Sequence, residues 1–166
     1  MQIVAMKKLI PEIFEDIKRR VYDTIGRRRA GLMLGLTELG MIRGIYIGAY
    51  HILSSNYIIL NKTPLHLLKD KSKELVYAYL YHLLLHEYVH TLGCADERIC
   101  RQLTYEISLE NFGDDNLITY LAGGGMKKLF PEIIHAPMDF GSNVNKMDKK
   151  IELVRGFDRS SCNYYS

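Results

Sequence analysis

Residues 83–97 read LLLHEYVHTLGCADE and place two histidines and a glutamate inside an apolar run. His86 and His90 are four residues apart, so on an α-helix they lie one turn above each other on the same face. The two imidazoles can then bind one metal ion, while Glu87 reaches a water bound to that ion. Because unpaired imidazoles are costly to bury, the pattern predicts a buried helix that carries a metal site.

The apolar run defines a central helix. We expect this helix to extend from about Lys71 to Leu92 and to end at Gly93, a residue that suits the left-handed conformation after a helix. Its second half is apolar on almost every side, which predicts a position in the middle of the molecule. Asp96 then has the side chain of an N-cap and can start a further helix.

The sequence before the central helix predicts one helix and a small sheet. Pro11 is typical of the first helical position, and Gly26 can end that helix. Three segments rich in β-branched and aromatic residues follow, at 30–36, 43–50 and 56–61, and the last two predict a hairpin. We therefore expect an α+β fold. Its small mixed or antiparallel sheet, of about three or more strands, packs on the central helix, and further helices follow.

The histidine pair leaves the third metal ligand open. His82 lies one turn upstream of His86, but the ends of the column from His82 to His90 are about 12 Å apart, so we expect His82 to be a packing residue. The third ligand must come from another part of the chain. The candidates are acidic residues or a histidine after the central helix: Asp96, Glu97, Glu106, Glu110 and His135.

Residues 86–96 read HEYVHTLGCAD, which resembles the extended zinc motif of the metzincin clan of metallopeptidases. That motif is His-Glu-x-x-His-x-x-Gly-x-x-His/Asp, and the aspartate form is the one seen in snapalysins. The resemblance implies a zincin-like fold and one zinc ion bound by His86, His90 and Asp96. Zinc also agrees with a ligand set of imidazoles and a carboxylate.

Two further features come with this resemblance. The glycine of the motif, Gly93 here, would let the chain turn sharply so that Asp96 returns to the metal. A methionine-containing turn beneath the metal would be supplied by the segment from His135 to Met138. Ligation by Glu106 or Glu110 would instead resemble the gluzincins, in which a glutamate on the following helix binds zinc.

These residues predict a zinc-dependent metallopeptidase that acts on a peptide or protein substrate. Three protein ligands leave a fourth position for water, whose pKa the ion lowers, and Glu87 would act as the general base. An extended peptide could bind by adding to the edge of the strand at 43–50 or at 56–61. A C-terminal tail that covers the site would make the enzyme latent.

A second interpretation is a non-catalytic binding module in which zinc only stabilises the fold. Such a site has four protein ligands and does not require Glu87. The arginines at 27–29 would then bind nucleic acid, although the net charge of +3 gives this weak electrostatic support.

Length and composition predict a single domain. The chain has 166 residues, of which 48% are hydrophobic and 25% charged, as in ordinary globular proteins. We expect one domain at 1–140 and a polar tail at 141–166, either docked on the domain or loose. Three cysteines without a framework spacing, the lack of a signal-peptide pattern and the lack of a long apolar segment predict a cytoplasmic protein without a membrane partner.

Overall fold

The computed structural model describes residues 1–137, 140–141 and 150–159, which form a mixed α+β fold. The predicted fold class is therefore confirmed at this level. In chain order the elements are α1 (Ile3–Ile25), β1 (Met33–Thr37), β2 (Tyr46–Ile47), β3 (Ala49–His51), β4 (Tyr57–Asn61), α2 (Lys62–Leu68), α3 (Lys73–Thr91), α4 (Glu97–Phe112), α5 (Leu117–Tyr120), a π-helical turn (Leu121–Gly125), α6 (Met126–Leu129), β5 (Ile133–Ile134) and β6 (Glu152–Leu153).

The central helix α3 has the position that its apolar sequence predicts. Residues 78–89 are all buried, because α1, α4, α5 and the sheet edge surround this part of the helix. Ser72 caps its N-terminus by accepting a hydrogen bond from Leu75 N, and Gly93 follows its end with φ at +101°. None of the helices in the described part of the chain is long and apolar enough to cross a membrane.

The first helix is longer than predicted. It begins at Ile3, so Pro11 lies inside the helix rather than at its first position, and it ends at Gly26 as expected. Met6 and Ile10 extend the apolar stripe by two turns, and both are fully buried. Burial of this stripe outweighs the one backbone hydrogen bond that a proline removes from a helix.

The sheet is mixed, with strand order β3-β4-β1-β6. The predicted hairpin is confirmed as the antiparallel pair β3–β4, whereas β1 and β4 pair in parallel. The segment at 43–50 forms two strands, because the chain changes partner at Gly48. Its first part, β2, pairs in parallel with β5, and its second part, β3, forms the edge of the main sheet beside α3.

Residues 150–159, part of the predicted tail, pack on the domain. β6 pairs with β1, and the Phe157 ring stacks on Phe14 with 4.0 Å between ring centroids. Asp158 is buried, where its carboxylate contacts the Lys18 ammonium at 2.6 Å and accepts a hydrogen bond from Leu32 N. Met138, the residue of the predicted methionine turn, lies outside the described residues. The same holds for Cys162 and for the rest of the predicted tail.

Replacing Asp158 by asparagine is expected to lower the free energy of unfolding by about 2 kcal/mol, because it removes the buried counter-charge of Lys18 while the ion pair of Lys18 with Glu15 remains. Glu152→Gln is the matched control, since its ion pair with Lys7 is exposed and should contribute less than about 1 kcal/mol. Urea denaturation measures both. Equal effects of the two substitutions would contradict the structural role assigned to the buried pair.

Candidate metal centre

The centre lies where the last two turns of α3 meet the start of α4. His86 Nε2 and His90 Nε2 are 3.1 Å apart. Glu97 Oε1 lies 2.9 Å from His86 Nε2, and Glu97 Oε2 lies 2.9 Å from His90 Nε2. In a tetrahedral site with zinc bonds of about 2.0–2.1 Å, ligand atoms lie about 3.3 Å from one another. The three side chains thus place their donor atoms at nearly the separation that one zinc ion requires.

Glu97, rather than the predicted Asp96, is the acidic residue that reaches the imidazoles. The Asp96 carboxylate accepts a hydrogen bond from Ile99 N at 3.0 Å and caps α4 from an exposed position. Glu97 is the first residue of α4, and its side chain turns back towards α3. The other two acidic candidates, Glu106 and Glu110, are exposed on α4.

The contacts of His90 orient its ring for metal binding. Its Nδ1 lies 2.8 Å from the carbonyl oxygen of Cys94 in the turn between α3 and α4. If Nδ1 donates its hydrogen to this carbonyl, Nε2 presents a lone pair towards Glu97 and His86. Such a hydrogen bond on the distal nitrogen is the usual support for a metal-binding histidine.

Several polar atoms of the centre lack hydrogen-bond partners among the described residues. They include Nδ1 of His86 and Oε1 of Glu97, both buried. Glu97 Oε1 lies 2.9 Å from His86 Nε2, yet the alignment is not that of a hydrogen bond. Two acceptor atoms this close repel each other unless a hydrogen or a cation lies between them, so the residues present fit a bound metal ion.

The protonation states of Glu97 and His82 favour the binding of a cation at the centre. Burial alone would raise the pKa of Glu97, but the adjacent imidazoles of His86 and His90 hold it at about 2. The carboxylate is therefore anionic at neutral pH, as a metal ligand must be. Burial also lowers the pKa of His82 to about 3, so this ring is neutral.

His135 joins the centre from a distant part of the chain. Its ring stacks on that of His86 with 3.8 Å between centroids, and its Nε2 lies 3.3 Å from His82 Nε2. A ligand atom of His135 lies within 4.8 Å of those of His86 and Glu97. The sequence kept His135 as an alternative ligand but gave no sign of its pairing with His82, because 53 residues separate the two.

Glu87 lies beside the donor atoms without belonging to the ligand set. Its side chain is only 3% exposed, and this burial raises the pKa of its carboxyl above the usual range. A cavity of about 20 Å³ adjoins Glu87 and His90, bounded by His51 of the edge strand and by Pro137. This volume accommodates about one water molecule.

The arrangement can hold a divalent cation, one water and a buried base within a single small space. The chain matches no protein-family model, no curated protein and no solved structure. The chemistry that these residues support is therefore inferred from their own geometry.

Proposed function

We propose that the protein is a zinc-dependent metallopeptidase in which His86, His90 and Glu97 bind one zinc ion. The observation that carries the proposal is the convergence of their donor atoms beside the buried Glu87. The two Nε2 atoms lie 3.1 Å apart, and each of them lies 2.9 Å from one carboxylate oxygen of Glu97. A zinc ion bound there supplies a water of lowered pKa and polarises a substrate carbonyl.

Glu87 is the proposed general base. It follows the first ligand in the chain, and a water-sized cavity adjoins its carboxylate. Glu87 would take a proton from the attacking water and deliver it to the leaving amine of the cleaved peptide bond. Its raised pKa suits this role, because the carboxyl must both accept and release a proton near neutral pH.

We further infer a zincin-like organisation of the domain. A sheet with the edge strand β3 lies beside the helix that carries His86 and His90, and the next helix supplies the third ligand. In this arrangement Glu97 takes the role that the metzincin-like motif gave to Asp96. In gluzincins the third ligand is likewise a glutamate on the following helix. Here this glutamate, Glu97, is the first residue of that helix.

The experiment combines metal analysis with a peptidase assay. We expect the purified protein to bind one zinc ion per chain and to hydrolyse peptides from a quenched-fluorescence library. A strong chelator should stop hydrolysis, and added zinc should restore it. Hydrolysis that persists without metal, or a protein that binds no zinc, would contradict the proposal.

A non-catalytic, zinc-stabilised binding module is the second candidate. It is favoured by His135, whose ligand atom lies within 4.8 Å of those of His86 and Glu97, so that these three side chains could hold a metal ion without Glu87. Its nucleic-acid version has less support, because two of the three arginines at 27–29 are engaged within the domain. Arg27 donates to Leu92 O and Arg29 donates to Thr91 O, so both bind carbonyls at the end of α3.

A further inference from the structure

We propose that a cavity beside the metal centre binds the C-terminal residue of a peptide substrate, with Arg101 holding its free carboxylate. The cavity, here called the side pocket, has a volume of about 250 Å³ and lies between α4, α6 and residues 133–135. This inference rests on the proposed metallopeptidase function and specifies its substrate: the protein releases single amino acids from peptide C-termini.

The side pocket lies next to the residues that bind the metal. Glu97 and His135 line it, and both belong to the group of side chains that could hold an ion. Glu97 is one of the three proposed ligands, and the His135 ring stacks on that of His86. A peptide whose carbonyl oxygen lies at the metal therefore has this pocket beside it.

The apolar part of the side pocket suits one hydrophobic side chain. It is formed by Met126 of α6 and by Ile133 and Ile134 of β5, and the first two are almost fully buried. The volume of about 250 Å³ is smaller than the roughly 300–1,000 Å³ of sites for drug-sized ligands. It therefore accommodates a single residue rather than a length of chain, and burial of an apolar side chain there favours binding.

The charged groups of the side pocket, apart from the metal ligand Glu97, are cations. Arg101 lies one helical turn after Glu97 on the same face of α4, and its Nε is 3.9 Å from Glu97 Oε1. This distance is too long for a hydrogen bond, so the guanidinium can bind a second carboxylate in the bidentate manner typical of arginine. Lys127 adds a cation from α6. A divalent ion bound by one carboxylate and two neutral imidazoles also keeps a net positive charge, which attracts an anion.

The spacing of the metal centre and Arg101 fits the last residue of a chain. A C-terminal carboxylate lies one residue beyond the last peptide bond, and one residue spans about 3.8 Å. Arg101 Nε lies 3.9 Å from a carboxylate oxygen of the proposed metal ligand Glu97. The carbonyl of the last peptide bond can thus lie at the metal while the terminal carboxylate meets the guanidinium. An internal residue would place an uncharged amide there instead.

The reaction is hydrolysis of the last peptide bond. The oxygen of a water molecule forms a bond to the carbonyl carbon, the bond from that carbon to nitrogen breaks, and Glu87 passes the proton of the water to the leaving amine. The products are a peptide shortened by one residue, with a new carboxylate, and a free amino acid. An amidated C-terminus lacks the charge that Arg101 binds, so it is expected to be a poor substrate.

A binding experiment tests the side pocket without reference to hydrolysis. Isothermal titration of the zinc-loaded full chain compares N-acetyl-L-phenylalanine with its uncharged amide. We expect the acid to bind at least about tenfold more tightly than the amide, and Arg101→Gln to remove this difference. Arg101 is exposed, so its replacement should not affect folding. Arg98→Gln is the matched control, because Arg98 is exposed on the same helix and does not line the pocket.

A hydrolysis experiment identifies the source of the carboxylate. Three N-acetylated peptides are compared by mass spectrometry: one ends in phenylalanine with a free carboxylate, the second is its amide, and the third is an amide that ends in glutamate. We expect the first peptide alone to lose its last residue. Equal cleavage of the first two, or preferred cleavage of the glutamate peptide, would overturn the C-terminal assignment and leave the peptidase standing.

The two experiments together separate the side pocket from the peptidase. An unchanged preference for the acid in Arg101→Gln would overturn the role of Arg101. Binding of the acid that depends on Arg101, without hydrolysis of any peptide, would support the pocket and overturn the peptidase. Absence of both binding and hydrolysis would overturn both proposals.

Discussion

Glu97→Ala is expected to lower the zinc affinity of the protein at least about 100-fold, whereas Asp96→Ala should leave it unchanged. Structural zinc sites with four ligands bind with about 10–16 kcal/mol in total, so one ligand contributes about 3 kcal/mol. The Glu97 carboxylate oxygens lie 2.9 Å from the two imidazoles, while Asp96 is exposed and caps α4. Competition with a chromophoric chelator measures the affinities directly.

Two further substitutions at this adjacent pair separate helix capping from metal binding. Asp96→Ala removes the N-cap of α4 and should lower the free energy of unfolding by about 1 kcal/mol. Glu97→Gln retains the shape of the side chain but removes the negative charge, so it tests whether the metal requires an anionic ligand. Loss of zinc in Asp96→Ala, with retention in Glu97→Ala, would restore the ligand assignment that the sequence motif implies.

Glu87→Gln is expected to reduce the rate of peptide hydrolysis by roughly 10²- to 10⁴-fold, the range typical of a general base. Zinc affinity should remain within a few-fold of the wild-type value, because Glu87 lies beside the ligand set and not in it. The substitution keeps the size of the side chain but cannot accept the proton of the attacking water. Steady-state rates and metal content are measured on the same preparation.

Glu106→Gln provides the matched control, because Glu106 is exposed on α4. Unchanged hydrolysis by Glu87→Gln would exclude the proposed mechanism. A simultaneous loss of zinc would instead assign Glu87 to the ligand set.

The sequence predicted the features that depend on neighbours along the chain. The central helix, the hairpin and the cap at Asp96 follow from local spacing, and the structure reproduces all three. The same local logic brings His86 and His90 together, because a helix fixes the geometry of residues four apart. Pro11 was misplaced because a buried stripe extends the helix beyond the position that proline prefers.

The third ligand marks the limit of this local reasoning. Asp96 and Glu97 are neighbours with similar side chains, and the motif spacing favoured Asp96. Which carboxylate turns towards the histidines depends on how α4 leaves the turn after α3, and that path is set by packing. The cap at Asp96 directs one carboxylate to the helix N-terminus and leaves the other to face His86 and His90.

The sequence by itself therefore determined a buried helix with two imidazoles on one face and a glutamate beside them. Only the tertiary structure brought Glu97 to these imidazoles, stacked His135 on His86 and paired β5 with β2. The reason is physical: helical spacing is fixed by hydrogen bonds between residues four apart. The meeting of distant segments depends on how the whole apolar surface is buried, which no short stretch of sequence encodes.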